Sequence, residues 1–191
     1  MPNRFSMPIQ AIVYGPDFDL SKVKFDLKTN HVDKPKSALW TSTFQDDLRE
    51  IGWIKWNLWE DCQLLKDCLY KVVPKEGVRI YELNSEEDLT SCRLPKLDGP
   101  SSIARFFGFD KERELTEGYI DYEALAKRGY DGLHVTWDAA RLGHSFGNVD
   151  QKTIDLLYCF DCESTVWFNT NWIDSIELVT TDLRSLLGVE E

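Results

Sequence analysis

The sequence predicts an α+β fold in a single domain that spans residues 1–191. Apolar segments with the two-residue alternation of strands recur along the chain, separated by segments with helical spacing. With 42% hydrophobic and 13% aromatic residues, a chain of 191 residues can bury a substantial core. The glycine fingerprint of doubly wound dinucleotide-binding folds is absent. We therefore expect about five to seven strands broken by helices rather than a doubly wound sheet.

The first two predicted strands cover residues 9–15 and 37–44. Residues 9–15 (IQAIVYG) combine β-branched and aromatic residues and stop at a Gly-Pro pair. In residues 37–44 (SALWTSTF), strand alternation places Trp40 and Ser42 on one face. A polar, lysine-rich loop is expected between the two strands.

Residues 45–70 predict one long helix. Their aliphatic residues recur at helical spacing, and three tryptophans at intervals of three residues widen the apolar stripe. Such a face is expected to be buried against a sheet. Gly52 marks either a kink in this helix or its true start.

The rest of the chain alternates between predicted strands and helices. Polar caps and glycines mark the helix ends. A loop is expected over residues 138–153, at a length where unstructured segments are usually functional or mobile. The other expected elements are a strand at 78–84, a short helix after Ser85, a helix that opens near Pro100, a helix from Asp121 to Arg128 that ends at Gly129, a strand at 130–137 and a terminal helix at 182–191.

The net charge of −11 argues against a broad nucleic-acid interface, because phosphate contacts need clustered Lys and Arg. Charge is unevenly spread, since five lysines and His31 lie between residues 22 and 36. A solvated loop is the ordinary interpretation of such a cluster. A local anion site, for example for a pyrophosphate, is the alternative.

Five cysteines, an odd number, indicate free thiols. No signal peptide or membrane-length apolar run is visible, so we expect a soluble protein of a reducing compartment, the cytoplasm. Cys159 and Cys162 have the spacing of a metal or redox pair, but no second pair accompanies them. No metal site is expected.

The most informative segment is residues 160–177 (FDCESTVWFNTNWIDSIE). It places Asp161 and Glu163 at the entrance of an apolar strand, and alternation would put both carboxylates on one strand face. The acids are either a solvated strand end or part of a pocket that carries chemistry. His134, which faces opposite to its aliphatic neighbours in the predicted strand 130–137, is expected to be a satisfied or solvated imidazole.

Three segments together resemble the ADP-ribosyltransferase superfamily, in its divergent bacterial and phage-type branches. Residues 34–44 (KPKSALWTSTF) are similar to the second conserved strand, where an aromatic and small hydroxyl residues line the nicotinamide pocket. Residues 122–135 (YEALAKRGYDGLHV) resemble a helix and strand found in many toxin-like transferases. Residues 163–176 (ESTVWFNTNWIDSI) resemble the late strand that begins with the catalytic glutamate.

The resemblance implies a split, mixed and antiparallel sheet with flanking helices, and NAD as substrate. It implies that Glu163 is the catalytic carboxylate. Cleavage of the nicotinamide–ribose bond passes through an oxocarbenium-like centre, which a carboxylate stabilises. Asp161 would orient the acceptor or take its proton.

Further residues follow from the resemblance as candidates for binding NAD. An aromatic wall for the nicotinamide ring would come from Trp40 or Tyr81, and Ser42 would bind the ribose or the amide. The first strand has no Arg or His, so His31 or Lys34 is the candidate for that place. For phosphate or the acceptor, the candidates are Arg141 and His144.

Three functions remain open. The first is an enzyme that transfers ADP-ribose from NAD to a protein or small-molecule acceptor, or that hydrolyses NAD, with no membrane partner. The second is a catalytically silent module that binds a protein through the Trp-rich helix 45–70. The third is a non-NAD enzyme that uses Asp161 and Glu163 as an acid–base pair. The first needs both acids and an aromatic in one cleft, whereas the second would leave Glu163 in open solvent and expose an apolar helix face.

Overall fold

A computed structural model describes residues 7–29, 34–90, 95–97, 119–144, 157–158 and 160–189. In these ranges strands and short helices alternate along the chain. The strands are β1 (Gln10–Tyr14), β2 (Asp26–Thr29), β3 (Pro35–Ser37), β4 (Leu39–Thr43), β5 (Cys68–Pro74), β6 (Ile80–Leu83), β7 (Lys96–Leu97), β8 (Tyr119–Ile120), β9 (Gly132–Val135), β10 (Ser164–Trp167) and β11 (Ile173–Thr180). The α-helices are α1 (Gly52–Trp59), α2 (Glu86–Thr90), α3 (Tyr122–Lys127), α4 (Trp137–Leu142) and α5 (Leu183–Leu187).

The architecture is mixed α+β, as predicted, around a seven-stranded sheet in the order β11-β5-β1-β4-β10-β9-β6. Neighbouring strands run antiparallel except β6 and β9, which pair in parallel. Two further antiparallel pairs, β2 with β3 and β7 with β8, lie outside this sheet. The sheet brings β4 beside β10, although more than a hundred residues separate them in the chain.

The sheet parts between β1 and β4. These strands pair through Gln10 with Thr43 and Ala11 with Ser42, whereas β1 pairs with β5 along its whole length. Residues 12–14 of β1 therefore have their described strand partners on the β5 side alone. The divergence leaves room for a cavity between the two halves of the sheet.

Apolar side chains cover both faces of the sheet. On one face, Ile54 of α1 and Leu125 of α3 are fully buried in separate clusters, which hold the helices against the strands. On the other face, the rings of Trp167 and Trp172 stack with centroids 3.5 Å apart. Burying a large side chain of this kind contributes about 2–3 kcal/mol, so these clusters fix which elements lie together.

The predicted strands at 9–15, 37–44, 78–84 and 130–137 are confirmed as β1, β4, β6 and β9. The predicted caps are also confirmed. Ser85 and Asp88 bond each other's backbone N–H groups, and Asp121 Oδ1 accepts from Ala124 N at 2.9 Å. Gly129 follows α3 with a φ of 81°, a conformation that favours glycine.

The predicted helix over residues 45–70 is wrong in extent. The α-helix runs from Gly52 to Trp59, so Gly52 is its true start. Asp61 and Cys62 follow with φ of 57° and 59°, which ends any helix. Residues 68–74 are strand β5, held by β1 and β11 on its two sides. The misleading periodicity arose because helix, turn and strand contribute to one buried cluster.

The loop predicted over residues 138–153 is also wrong at its start. Residues 137–142 form α4, because Thr136 Oγ1 caps the first turn by accepting from Ala139 N at 3.3 Å. The expected terminal helix is confirmed as α5, capped by Asp182. The helix predicted near Pro100 lies outside the described residues. His31, Cys159 and residues 145–156 lie outside them too.

The described helices are all too short or too polar to cross a lipid bilayer.

Candidate active site

Glu163 lies at the junction of β4 and β10. It directly precedes β10, and the antiparallel register, in which Thr165 faces Thr41, brings it to the end of β4. Ser42 Oγ donates a hydrogen bond to the backbone carbonyl of Glu163 at 3.1 Å. The hydroxyl-rich strand 39–43 and the glutamate were separate motifs in the sequence, and the sheet joins them.

The Glu163 carboxylate is buried and bonded to Thr43. The residue is 6% exposed. Thr43 N donates to both carboxylate oxygens at 3.1 Å, and Thr43 Oγ1 donates to Oε1 at 2.9 Å. The side chain therefore occupies the place where a backbone carbonyl of β10 would otherwise continue the ladder. Three donor contacts from one threonine fix its direction.

The N-terminus of α1 closes one side of this carboxylate. A Cβ on Gly52 would lie 2.4 Å from the carbonyl oxygen of Glu163 and 2.8 Å from its Oε2. Trp53 N donates to Ser42 Oγ at 3.0 Å, which attaches the helix start to β4. Glycine at position 52 is thus required by the close approach of the helix to Glu163.

An imidazole closes the opposite side. His134 Nδ1 on β9 lies 3.6 Å from Glu163 Oε1 and 2.8 Å from Thr165 Oγ1. His134 and Thr165 are buried as well. We call the group formed by Thr43, Gly52, His134, Glu163 and Thr165 the carboxylate cluster.

Burial dominates the electrostatics of the carboxylate cluster. It raises the pKa of Glu163 to about 7, although the hydrogen bonds from Thr43 oppose the shift. Burial also lowers the pKa of His134, which the charge of Glu82 opposes. Near pH 7 the imidazole is therefore neutral and Glu163 is divided between its two protonation states. A carboxyl group that titrates near neutral pH is suited to chemistry.

A cavity of about 740 Å³ opens where β1 and β4 diverge. On its wall, Lys34 Nζ lies 5.4 Å from the ring centroid of Trp40 and 4.0 Å from Asp161 Oδ2. Trp40 also contacts Phe160, with ring centroids 5.9 Å apart. Other polar lining side chains are those of Asp17, Asp19, Lys22, Lys24, Ser37, Thr41, Ser42, Lys66 and Ser164.

The cavity and the carboxylate cluster adjoin along one segment of the chain. Cys162 and Ser164, on either side of Glu163, line the cavity, and Asp161 lines it too. The Glu163 side chain turns away to Thr43 instead. The expectation that both acids share a strand face is wrong, because β10 begins only at Ser164 and alternation does not extend to residues 161–163.

The structure brings Lys34, Trp40, Ser42 and Asp161 together at the cavity, while the other binding candidates lie elsewhere. Tyr81, on β6, packs edge-on against Tyr130 with centroids 5.4 Å apart. Arg141 Nη1 lies 3.6 Å from Asp138 on α4, and the His144 ring lies 5.7 Å from Tyr158. These three residues do not line the cavity.

The tryptophans of α1 are divided between the cavity and the surface. Trp53 lines the cavity and contacts Trp56, with ring centroids 5.0 Å apart. Trp59 is 64% exposed, and Leu64 in the following turn, which also lines the cavity, is 54% exposed. Exposed apolar side chains in this segment are what the binding-module hypothesis predicts, whereas the burial of Glu163 is not.

Metal and thiol chemistry have little support in this site. In the part of the chain that the structure describes, no group of three or more His, Cys, Asp or Glu side chains is arranged to hold a metal ion. Burial raises the pKa of the Cys162 thiol to about 12, with the charges of Glu163 and Asp161 adding to the effect. Such a thiol is a poor nucleophile near neutral pH.

Sequence reasoning missed Gly52, His134 and Thr165 as site residues. Local spacing gives no signal for Gly52 and His134, since they reach Glu163 only through the strand order β4-β10-β9 and the packing of α1. Thr165 joins the site through its contact with His134. The one available signal was the polar imidazole of His134 between the apolar residues of the predicted strand 130–137.

No protein-family model, curated protein or solved structure matches this chain. What the site does chemically is therefore inferred from its geometry. It combines an ionisable carboxyl group held away from water, a neighbouring cavity with an aromatic wall, and cationic side chains. Buried carboxylates stabilise positive charge more strongly than exposed ones do, because less solvent screens them.

Proposed function

We propose that this protein cleaves the nicotinamide–ribose bond of NAD and passes ADP-ribose to an acceptor or to water. Glu163 is the carboxylate that stabilises the oxocarbenium-like ribose. The contact of Ser42 and Thr43 with Glu163 carries the proposal, because it unites two of the segments on which the resemblance to ADP-ribosyltransferases depends. The parting of β1 from β4 supports a split sheet of the same type.

The cavity supports the proposal by its size and lining. Its volume of about 740 Å³ falls within the usual range for small-molecule sites. Trp40 offers an aromatic face to the nicotinamide ring, and Ser42 offers a hydroxyl group to the ribose or the amide. Lys22, Lys24 and Lys34 on the wall suit a pyrophosphate.

In the proposed step the bond between the ribose C1′ and the nicotinamide nitrogen breaks. Its electron pair returns to the pyridinium nitrogen, and positive charge develops at C1′. Ionised Glu163 accepts a hydrogen bond from a ribose hydroxyl and offsets that charge. The acceptor or water then attacks C1′, and Asp161, on the cavity wall, takes its proton. This step requires Glu163 to turn from Thr43 toward the cavity that Ser164 lines.

The nature of the acceptor follows from the charge. A net charge of −11 disfavours nucleic acid, so the acceptor is a protein or a small molecule, or water. NAD is the substrate in this scheme, and no metal takes part.

The test measures NAD binding and nicotinamide release by the purified protein. Glu163→Gln keeps the shape of the side chain and removes its charge, and we expect release to fall at least about a hundredfold, the scale of one lost electrostatic stabiliser. Glu177→Gln on the exposed strand β11 is the matched control and is expected to retain the native rate. Absence of NAD binding at millimolar concentration, or equal release by native protein and Glu163→Gln, would contradict the proposal.

A second candidate is a catalytically silent module on the same fold that binds a protein partner through the Trp-rich segment 45–70. The exposure of Trp59 and Leu64 favours it. The same titration separates the two, since a silent module neither binds nor cleaves NAD.

A further inference from the structure

We propose that His134 is the positioning residue that supports the ionised form of Glu163 in its resting orientation, from which the carboxylate turns into the cavity for the bond-breaking step. This inference rests on the function proposed above and assigns a role to a residue outside the cavity. It starts from the geometry of the carboxylate cluster, where the imidazole and the carboxylate face each other across 3.6 Å.

The two partners are unusual within this protein. Among the described residues, Glu163 and His134 are the buried side chains of the Asp, Glu, His, Lys and Arg classes. Burying an unpaired ionisable group costs several kcal/mol, so ionisable groups in protein interiors usually lie beside polar or ionisable partners. The two lie side by side on strands that the fold brings together, which indicates that one acts on the protonation of the other.

The hydrogen-bond chemistry of imidazole suits a carboxyl group that changes its protonation state. When Glu163 is ionised, an Nδ1–H on His134 is attracted to Oε1 and also points toward Thr165 Oγ1. When Glu163 is protonated, the other tautomer places a lone pair on Nδ1, which accepts from the Thr165 hydroxyl. Thr165 can donate or accept, so the imidazole is satisfied in both states.

The groups that face His134 define the charge it experiences. Glu163 and Thr165 approach from the β10 side, and Glu82 lies opposite His134 in the register of β6 with β9. Thr43, on β4, donates to the carboxylate of Glu163. Gly52, which carries no charged side chain, lies against the same carboxylate. Two carboxylates and no lysine or arginine therefore surround the imidazole among these contacts, and its Nδ1–H adds to the Thr43 donors that support ionised Glu163.

If His134 only filled space in the core, its replacement would leave the titration of Glu163 unchanged. The titration of Glu163 therefore distinguishes a packing role of His134 from a positioning role. Loss of the Nδ1 donor destabilises ionised Glu163, so the pKa of Glu163 rises. Because the proposed step needs the ionised form, the acidic limb of the pH–rate profile would move to higher pH.

The first arm of the experiment compares pH profiles of nicotinamide release for the native protein, His134→Phe and His134→Asn. We expect the acidic limb of His134→Phe to move up by about one pH unit, the usual scale for loss of one polar contact to a buried carboxylate. Release at pH 6 would then fall about tenfold while release at pH 9 stays near native. Asn keeps an amide donor close to the place of Nδ1 and should return the limb toward its native position.

The second arm needs no activity. The chain has three histidines, so the imidazole signals of His134 are assigned in NMR spectra by their loss in His134→Asn. We expect them to show an inflection that follows the titration of Glu163 and that disappears in Glu163→Gln.

The outcomes separate the two proposals. A coupled inflection together with a shifted limb supports the role of His134. Identical His134 titrations in the native protein and Glu163→Gln, or an unmoved limb in folded His134→Phe, overturn it while leaving NAD cleavage in place. A native protein that binds NAD but releases no nicotinamide with any acceptor overturns the proposed function and the positioning role with it, even where the NMR coupling is present.

Discussion

Asp161 and Glu163 are two residues apart in the chain and lie in opposite environments. The Asp161 side chain is 36% exposed on the cavity wall, with Lys34 Nζ 4.0 Å away. The Glu163 side chain is 8% exposed and enclosed by β4, β9 and the start of α1. Chemically similar acids therefore differ in solvation because Asp161 stays on the cavity wall, whereas Glu163, directly before β10, is packed against β4.

This difference suits a division of labour. A carboxylate that offsets positive charge works best where water is excluded, whereas a group that exchanges protons with an acceptor works best where acceptor and solvent can reach it. The buried acid and the exposed acid match these two needs. The comparison can be tested because changes in the carboxylate cluster should have large effects on stability and changes on the cavity wall should have small ones.

The largest expected effect is on the pH dependence of stability. The pKa of Glu163 is raised in the folded protein to about 7 from an ordinary value of 4.5, so folding is favoured most when the carboxyl group is protonated. Its contribution is fully present below about pH 4.5 and is lost as the pH rises through 7. A shift of this size corresponds to roughly 3 kcal/mol.

Glutamine does not ionise, so Glu163→Gln removes the loss of stability that the native protein undergoes as the pH rises. Relative to the native protein, the free energy of unfolding of Glu163→Gln should therefore rise by roughly 3 kcal/mol between pH 4.5 and pH 8. Urea unfolding at several pH values measures it, and Glu177→Gln controls for the removal of one negative charge. A difference between native protein and Glu163→Gln that does not change with pH would show that Glu163 is not desolvated as described.

The same contrast explains how far the sequence could predict the site. Strands β4 and β10 were predicted because alternation and β-branched residues are local signals, and Glu163 was placed correctly at the entrance of β10. The shared face of Asp161 and Glu163 was predicted wrongly, because the prediction assumed strand alternation from Asp161, three residues before β10 begins. Strand ends depend on partners, and here the Glu163 carboxylate, in place of a backbone carbonyl, accepts from Thr43 N.

The segment after β4 shows a second limit. Helical spacing predicted one helix over residues 45–70, but spacing records which residues are buried and not the backbone conformation that buries them. Leu65 and Leu69 continue the stripe of Ile54 although they lie in a turn and in β5. Likewise, no local pattern reveals that His134 meets Glu163, since strand order is set by the whole sheet.

A smaller effect is expected from Gly52→Ala. The new methyl group would lie 2.4 Å from a backbone oxygen of Glu163, which cannot move without disturbing β10. We expect a loss of about 2 kcal/mol in the free energy of unfolding, the typical cost of overpacking, despite the better helix propensity of Ala. Chemical denaturation measures it.

Gly15→Ala is the matched control for this change. Its methyl group would meet only the carboxylate end of Asp17 at 2.9 Å, and a flexible side chain moves at little cost. Gly52→Ala should therefore be clearly less stable than Gly15→Ala. Equal stabilities would mean that α1 does not press on the carboxylate cluster.

The smallest effect on stability is expected at the cavity wall. Lys34→Met keeps most of the aliphatic stem beside Trp40 and removes the charge near Asp161. Because partly exposed ion pairs contribute little, the free energy of unfolding should change by less than about 1 kcal/mol. If the wall binds the pyrophosphate of NAD, the dissociation constant should nevertheless rise about tenfold, the scale of one charged hydrogen bond. Lys127→Met, on the exposed end of α3, is the control and should alter neither quantity. A large loss of stability with unchanged NAD affinity in Lys34→Met would reverse the roles assigned to the two regions, because the cavity wall would then be structural and the cationic side chain irrelevant to the ligand.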